Sequence, residues 1–179
     1  MKALVLGGNG FIGSHLVETL LQVGCQVRVY DRSDEPTNLP PACLEDVEYV
    51  WGEMGNQGLV REALTEIDWV FHLVCTTLPA TSNEDLVFDI RSNLVDTVQL
   101  LQECVRAGVQ RVIFISSGGT VYGLPQTVPI PESHPTEPLC SYGITKLAIE
   151  KYLALFHRLH GLGYCVLRVS NPYGERQHP

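Results

Sequence analysis

No apolar run in the 179-residue sequence approaches the roughly 18 residues needed to cross a bilayer. The short run Met1–Leu6 resembles the start of an export signal but stops at Gly7, where a glycine-rich turn begins, so it reads as a buried strand. No basic cluster is present either: 12 Lys and Arg face 20 Asp and Glu, a formal net charge of −8. Such a surface repels nucleic acid and anionic lipid, and neither is an expected partner. The six cysteines, Cys25, Cys43, Cys75, Cys104, Cys140 and Cys165, include no C-x-x-C pair. That spacing argues against a zinc site or a disulfide framework and suits reduced thiols in the cytoplasm. His157 and His160 lie three apart on a predicted helix but lack a third ligand, so they read as surface residues and no metal is expected. There is no internal repeat and no low-complexity tract.

The sequence does hold apolar residues at 45% and charged residues at 18%, the balance of a globular chain with a core. Short β-rich runs at 2–6, 26–30, 47–51, 69–73, 111–116 and 164–169 alternate with amphipathic segments at 11–23, 57–65, 84–107 and 142–160. The strand cores are continuous apolar runs such as Val112-Ile113-Phe114-Ile115, the pattern of strands buried on both faces. The alternation predicts an α/β fold, a doubly wound parallel sheet with helices on both faces. Two long connections interrupt it. Residues 31–46 carry three prolines, and residues 117–140 carry three glycines and five prolines. A connection of that length in a compact domain is usually functional or mobile.

The first strand runs into Gly7-Gly8-Asn9-Gly10-Phe11-Ile12-Gly13. In a G-x-x-G-x-x-G pattern between strand and helix, Gly7 permits the tight turn and Gly10 lets a pyrophosphate approach the backbone. Gly13 lets the helix pack closely. Phe11 and Ile12 open that helix, whose free N–H groups favour an anion. Such a string alone is a weak signal. Here a second strand follows and ends in Asp31, where a carboxylate accepts hydrogen bonds from the adenosine ribose and repels a 2′-phosphate. NAD is therefore expected over NADP, with Arg32 next door softening the discrimination. Glu53 and Met54, past the third strand, are candidates for adenine contact, and Leu73, Val74 and Cys75, past the fourth, for lining the cofactor groove. Cys75 has no basic neighbour in sequence and reads as a packing residue rather than a nucleophile.

Tyr142 and Lys146 form a Tyr-x-x-x-Lys, four apart on one helical face. A tyrosine ionises near pH ~10 and is a poor base at neutral pH. A lysine ammonium and a positive nicotinamide would both favour the phenolate, so the pair is a candidate for removing a proton as hydride leaves.

Taken in order, Gly7 through Gly13, Asp31, Val70-Phe71-His72-Leu73, Asn93, Ser116 through Gly123, Tyr142 with Lys146, and Arg168 through Gly174 cover nearly the whole chain. With these motifs the sequence resembles the extended short-chain dehydrogenase/reductases of the NAD-dependent epimerase/dehydratase family, Rossmann-type enzymes, and within it the sugar-nucleotide 4-epimerases that resemble UDP-glucose 4-epimerase. The resemblance implies a catalytic Tyr142, with Lys146 holding the nicotinamide ribose and tuning it. Asn93 and Ser116 would contact the cofactor, and Thr120, Tyr122 and Asn171 the nucleotide sugar, a UDP-sugar in the first place. One position departs from the family. Its epimerases carry a hydroxyl residue four before the tyrosine of Val-Tyr-Gly, and here that position is Gly118. Ser117 and Thr120 flank it as candidate substitutes. The family's dehydratases carry an acidic residue in this loop, and Gly118-Gly119-Thr120 has none, which argues against dehydration.

The expectation is thus a 4-epimerase working through a transient 4-keto sugar. A dehydrogenase, reductase or decarboxylase of the same family and a non-catalytic NAD-binding module remain open. In the family most of the sugar-binding lobe follows the sixth strand. A chain ending at Pro179 is therefore expected to be the NAD-binding domain of a longer gene product, binding dinucleotide but turning over poorly. Leu94, Val98, Leu101, Val105, Leu147 and Leu155 could supply the stripe of a four-helix-bundle homodimer, or simply pack on the sheet.

Overall fold

A computed structural model describes residues 1–177. The elements run β1 (Lys2–Leu6), α1 (Phe11–Gln22), β2 (Gln26–Asp31), α2 (Pro41–Leu44), β3 (Val47–Trp51), α3 (Gln57–Ala63), β4 (Trp69–His72), α4 (Leu86–Asp89), a π-helical turn (Ile90–Val95), α5 (Asp96–Ala107), β5 (Arg111–Ser117), α6 (Ser141–His160) and β6 (Gly163–Val169). All six strands are parallel, in the order β3-β2-β1-β4-β5-β6. This is the doubly wound, Rossmann-type arrangement. Its strand order reverses between β1 and β4, so the crevice at their C-terminal ends is the place where such sheets bind ligands.

The alternation of side chains along β1 divides the core. Leu4 and Leu6 join one cluster with Val60 of α3, Leu100 and Leu101 of α5, and Ile149 and Leu153 of α6. Ala3 and Val5 join the other, with Val17 and Leu20 of α1 and Val27 and Val29 of β2. Helices α5 and α6 end in Gly108 and Gly161, both in the left-handed region that favours glycine. Strand β6 departs from the pattern of a strand covered on both faces: Tyr164, Cys165 and Leu167 are exposed.

The helix expected over 84–107 is one continuous run from Leu86 to Ala107, but a π-helical turn lies within it. Asp89, Asn93 and Thr97 are all buried at a spacing of four along this run. They are linked to one another: Asn93 Nδ2 donates to Asp89 Oδ1 at 3.0 Å and the Thr97 hydroxyl donates to the Asn93 carbonyl at 2.5 Å. The connection 31–46 holds the short helix α2, begun by Pro41 at its first position. The dimer stripe expected from sequence is corrected in part. Leu101 is fully buried, and Leu94, Val98 and Val105 pack against the core cluster, because this side of the helix lies on the sheet.

His72, at the end of β4, is buried. Its Nε2 meets Thr97 Oγ1 at 2.8 Å, and Thr97 donates its own hydroxyl to the Asn93 carbonyl at 2.5 Å. Thr97 therefore accepts from the imidazole, which leaves the unprotonated Nδ1 without a partner. Burial, assisted by the Lys146 ammonium, pushes the imidazole down to about 3. Below pH ~6.5 the unfolded chain gains a proton that the folded chain refuses until about pH 3. Stability that is present above the ordinary value is lost through that window. We expect His72→Gln to recover about 2–3 kcal/mol of the stability that wild type loses between pH 6.5 and 4.5, measured by urea unfolding at both pH values.

Candidate active site

The turn from β1 into α1 is closed by main-chain bonds from Gly7 N to Tyr30 O (2.9 Å) and from Gly10 N to Gly7 O (3.1 Å). Gly7 has a φ of +80°, and a Cβ there would lie 3.3 Å from Val74 N, so the turn abuts the chain leaving β4. A Cβ on Gly13 would lie 2.1 Å from the Gly7 carbonyl oxygen. No side chain fits, and the first turn of α1 rests directly on the glycine turn. At Gly10 a Cβ would meet only that same carbonyl oxygen, at 3.2 Å. The space over the N-terminus of α1, with Phe11 and Ile12 in its first turn, is thus open to a ligand, and the free N–H groups there suit a pyrophosphate.

Asp31 ends β2. Its carboxylate accepts from Asn9 N at 3.0 Å and from Ser33 N at 3.2 Å. Asn9, unremarked in the sequence reading, is buried and ties the glycine turn to the following loop. It donates to Glu35 O (3.0 Å) and accepts from Asn38 N (2.9 Å). The signal for it was present: a lone amide among glycines has backbone groups within reach. Arg32 is exposed, and its carbonyl takes the Trp51 indole N–H at 3.1 Å. Glu53 is exposed and its carbonyl accepts from the Tyr30 hydroxyl at 2.8 Å. Met54 is a correction. Its side chain is packed into the core with Leu4, Leu6 and Tyr30, so only its backbone is available to a cofactor.

Leu73, Val74 and Cys75 continue from β4 and are half-buried at the crevice. Cys75 lies near enough to Tyr142 and Lys146 to act on both electrostatically. The glycine turn, Val74 and Cys75, and the Tyr–Lys pair are thus gathered along the C-terminal ends of the neighbouring strands β1, β4 and β5.

Asn93 is buried in the π turn. Its Oδ1 accepts from Thr76 N at 2.9 Å and its Nδ2 donates to Asp89 Oδ1 at 3.0 Å. Lys146 is buried too. Its ammonium donates to the Ile115 carbonyl at 2.9 Å and lies 5.5 Å from the centre of the Tyr142 ring. Burial pulls the Lys146 value down, against Cys75 and Asp89, which pull it up. Tyr142 is pushed up to about 12, first by burial and then by Cys75, Cys140 and Asp89. Without a cofactor, burial thus dominates the setting of this phenol.

The loop 117–140 is closed by packing. A Cβ on Gly123 would lie 2.0 Å from the Glu137 carbonyl oxygen, and one on Gly143 would meet Thr120 O at 2.8 Å and Pro138 Cβ at 2.9 Å. Both ends of the loop therefore clamp the turn that carries Tyr142. Inside the loop, His134 is buried and accepts from Gln126 N at 3.0 Å. Gly118 donates its N–H to Val169 O at 2.9 Å, and a Cβ there would lie 2.9 Å from the Arg168 carbonyl oxygen. The missing hydroxyl thus coincides with a close approach of β6. Of the two substitutes, Ser117 is half-buried at the end of β5, whereas the Thr120 hydroxyl is buried with no partner.

Three expected contacts look different in three dimensions. The Ser116 hydroxyl donates to Glu150 Oε1 at 2.6 Å, so a cofactor would meet the backbone of this residue rather than its side chain. The Tyr122 hydroxyl accepts from Arg168 Nη1 at 2.9 Å, and Arg168 is paired with Glu150 at 2.7 Å, which gives Tyr122 a structural partner. Asn171 is exposed on the stretch leaving β6, which reaches α1 through His15 with Glu175 O (3.0 Å) and Arg176 with Glu18 (2.7 Å). Sequence reasoning also missed Asp89, a fully buried carboxylate under the Tyr142 turn. An acid four residues before Asn93 on the same helical face was its only signal.

A glycine cradle at the strand-order switch, an acid at the tip of β2, and half-buried Tyr142 beside buried Lys146 at the end of β5 define a dinucleotide-binding α/β domain. The model of the NAD dependent epimerase/dehydratase family matches residues 3–179, and the chain belongs to that family. It is 37% identical to a UDP-glucose 4-epimerase of Mycolicibacterium smegmatis over the whole of this chain and 58% of that protein. The structure of the Thermus thermophilus UDP-glucose 4-epimerase in complex with NAD superposes with a TM-score of 0.92 at 35% identity, covering 100% of this chain and 58% of that one. The Thermotoga maritima UDP-glucose 4-epimerase with UDP-glucose gives 0.92 at 34% identity, covering 99% and 58%. The chain thus spans little more than half the length of these relatives.

The two glycines of the helix start separate stability from binding. Gly13→Ala is expected to cost about 3 kcal/mol in urea unfolding. Gly10→Ala should stay within about 1 kcal/mol of wild type yet weaken NAD binding measured by calorimetric titration. The Tyr142 phenol should ionise near pH 12 rather than ~10, read as the difference at 295 nm between wild type and Tyr142→Phe. Because the folded value is the raised one, the stability this phenol contributes is lost between pH ~10 and 12, and Tyr142→Phe should keep more of its stability there.

Proposed function

We propose that this chain is the dinucleotide-binding and proton-transferring part of an NAD-dependent sugar-nucleotide epimerase, similar to UDP-glucose 4-epimerase and acting on a UDP-sugar. The observation that carries this reading is the placing of half-buried Tyr142 and buried Lys146 side by side on α6, at the same strand ends as the glycine turn. Family membership and the NAD and UDP-glucose complexes of the relatives support it. NAD fits the residues present. The α1 N-terminus would take its pyrophosphate, Asp31 its adenosine ribose, and Asn93 and Lys146 the nicotinamide end.

When bound, NAD would supply a reversible hydride acceptor. The chain's own part is proton handling. Tyr142 would take the proton of the C4 hydroxyl as that carbon is oxidised and return it as the 4-keto sugar is reduced. Held at about 12 in the chain alone, Tyr142 is a reluctant base, and the neighbouring Lys146 charge favours its ionised form. Thr120, with its unspent hydroxyl, is the better substitute for the missing donor at position 118, and Ser117 the weaker one. Asn171 and Tyr122 would border the sugar nucleotide.

One observation favours a second reading, a dinucleotide-binding module with little turnover: Gly118 carries no hydroxyl and β6 leaves none room. The activity proposed belongs to a protein of the relatives' length, most of whose sugar contacts would come from a lobe beyond the NAD-binding domain. Exposed Val87, Val95, Ile144 and Leu155 on α4–α6 support a homodimer through these helices. The free cysteines support a cytoplasmic location. Among the described residues, no helix is long and apolar enough to cross a membrane.

Saturating NAD should raise the thermal midpoint clearly while NADP does not, since Asp31 meets the 2′-phosphate. With UDP-glucose, the full-length protein should equilibrate the C4 epimers without accumulating NADH. Net NADH formation would instead identify a dehydrogenase, and NAD binding without turnover the second reading.

A further inference from the structure

Asp89 donates nothing to the chemistry proposed above and belongs to none of the motifs, yet its side chain joins three elements around the groove. Oδ1 accepts from the Thr77 hydroxyl (2.5 Å), in the loop leaving β4, and from Asn93 Nδ2 (3.0 Å), in the π turn. Oδ2 accepts from the hydroxyls of Ser141 (2.6 Å) and Thr145 (2.8 Å), in the first turns of α6. Tyr142 follows Ser141, and Lys146 follows Thr145. We infer that Asp89 is a positioning residue for the Tyr142–Lys146 pair: its carboxylate fastens the start of the catalytic helix to Asn93 and to the groove wall, so that cofactor-binding and proton-transferring residues keep one fixed geometry.

The chemistry of the four partners requires a carboxylate. In this arrangement all four donate, and an ionised carboxylate is an acceptor on both oxygens. An amide of the same shape would turn its NH2 toward two donors. Burial opposes the charge, but the bonds from Ser141, Thr77, Thr145 and Asn93 outweigh it and hold the carboxyl below its usual range. The charge also lies at the positive end of the α6 dipole, which favours it further. Asn93 carries the fastening onward, since its Oδ1 holds the main chain at Thr76 (2.9 Å). Asn83 adds a separate cap, accepting from Ser141 N at 2.9 Å.

The same charge acts on Tyr142. The titratable groups facing this phenol are Cys75 from the loop after β4, Cys140 and Lys146 from α6 and its cap, and Asp89 from α4. Asp89 opposes the phenolate, behind burial, Cys75 and Cys140.

The inference rests on the proposed function only in so far as the pair is catalytic, and its test needs neither NAD nor sugar. The Tyr142 ionisation step is followed at 295 nm in wild type and Asp89→Asn, each against its Tyr142→Phe counterpart. The Asn variant should ionise Tyr142 at lower pH. In parallel, hydrogen–deuterium exchange of residues 141–146 is compared in wild type and Ser141→Ala/Thr145→Val. It should speed up by about tenfold there while β1 and β5 keep their protection. A folded Asp89→Asn protein with an unmoved Tyr142 step overturns the inference, as does wild-type exchange in the double variant. Should Asp89→Asn not fold, the double variant decides alone. Failure of wild type to bind NAD would strike the proposed function and leave these readouts intact.

Discussion

The first turn of α1 lies against the carbonyl of Gly7 with no space for a side chain at Gly13, and the architecture around the groove follows from that contact. It sets the distance between helix and sheet, and therefore where the helix's free N–H groups point. Gly7 also abuts the chain at Val74, so the glycine turn is packed between α1 and the chain leaving β4. A parallel sheet covered by helices offers its chemistry only at the strand ends. Tyr142 and Lys146 accordingly reach the groove from a helix that begins beyond the end of β5.

The site is built on buried ionisable groups. Lys146, Asp89 and His72 are all withdrawn from water, and each resolves the cost differently. Lys146 keeps a carbonyl partner and an aromatic face at Phe114, 4.7 Å from the ring centre. Asp89 collects four donors, and His72 stays neutral. Such a site has little freedom to rearrange.

Much of this was legible in the sequence. Continuous apolar strands announced the parallel sheet, and Gly7, Gly10, Gly13, Asp31, Tyr142 and Lys146 stood out because each has a local requirement that spacing reveals. What could not be read was set by distant contacts. Met54 lies in a sequence context shared by surface turns, and only the packing of α3 shows it to be core. Ser116 and Tyr122 spend their hydroxyls on Glu150 and Arg168, partners 34 and 46 residues away. Asp89 could not be weighed at all, because its four donors come from three separate stretches of chain. The surroundings of Tyr142 are a related case: the motif displays the lysine, while burial and the opposing Asp89 become apparent only in the folded chain.

The π turn between α4 and α5 gives the helix a functional length as well as a functional sequence. Its wider winding holds roughly one residue more than a regular turn would. Loss of a single residue from 90–95 would let that turn rewind as α with the segments on either side left in phase. Apolar composition, charge and helix propensity would scarcely change, and α5 would still pack on the sheet. The spacing of Asp89 from Asn93, or of Asn93 from Thr97, would however fall from four to three. In this fold, substitution along that helix is a matter of degree, whereas a change in its residue count alters which groups can meet at all.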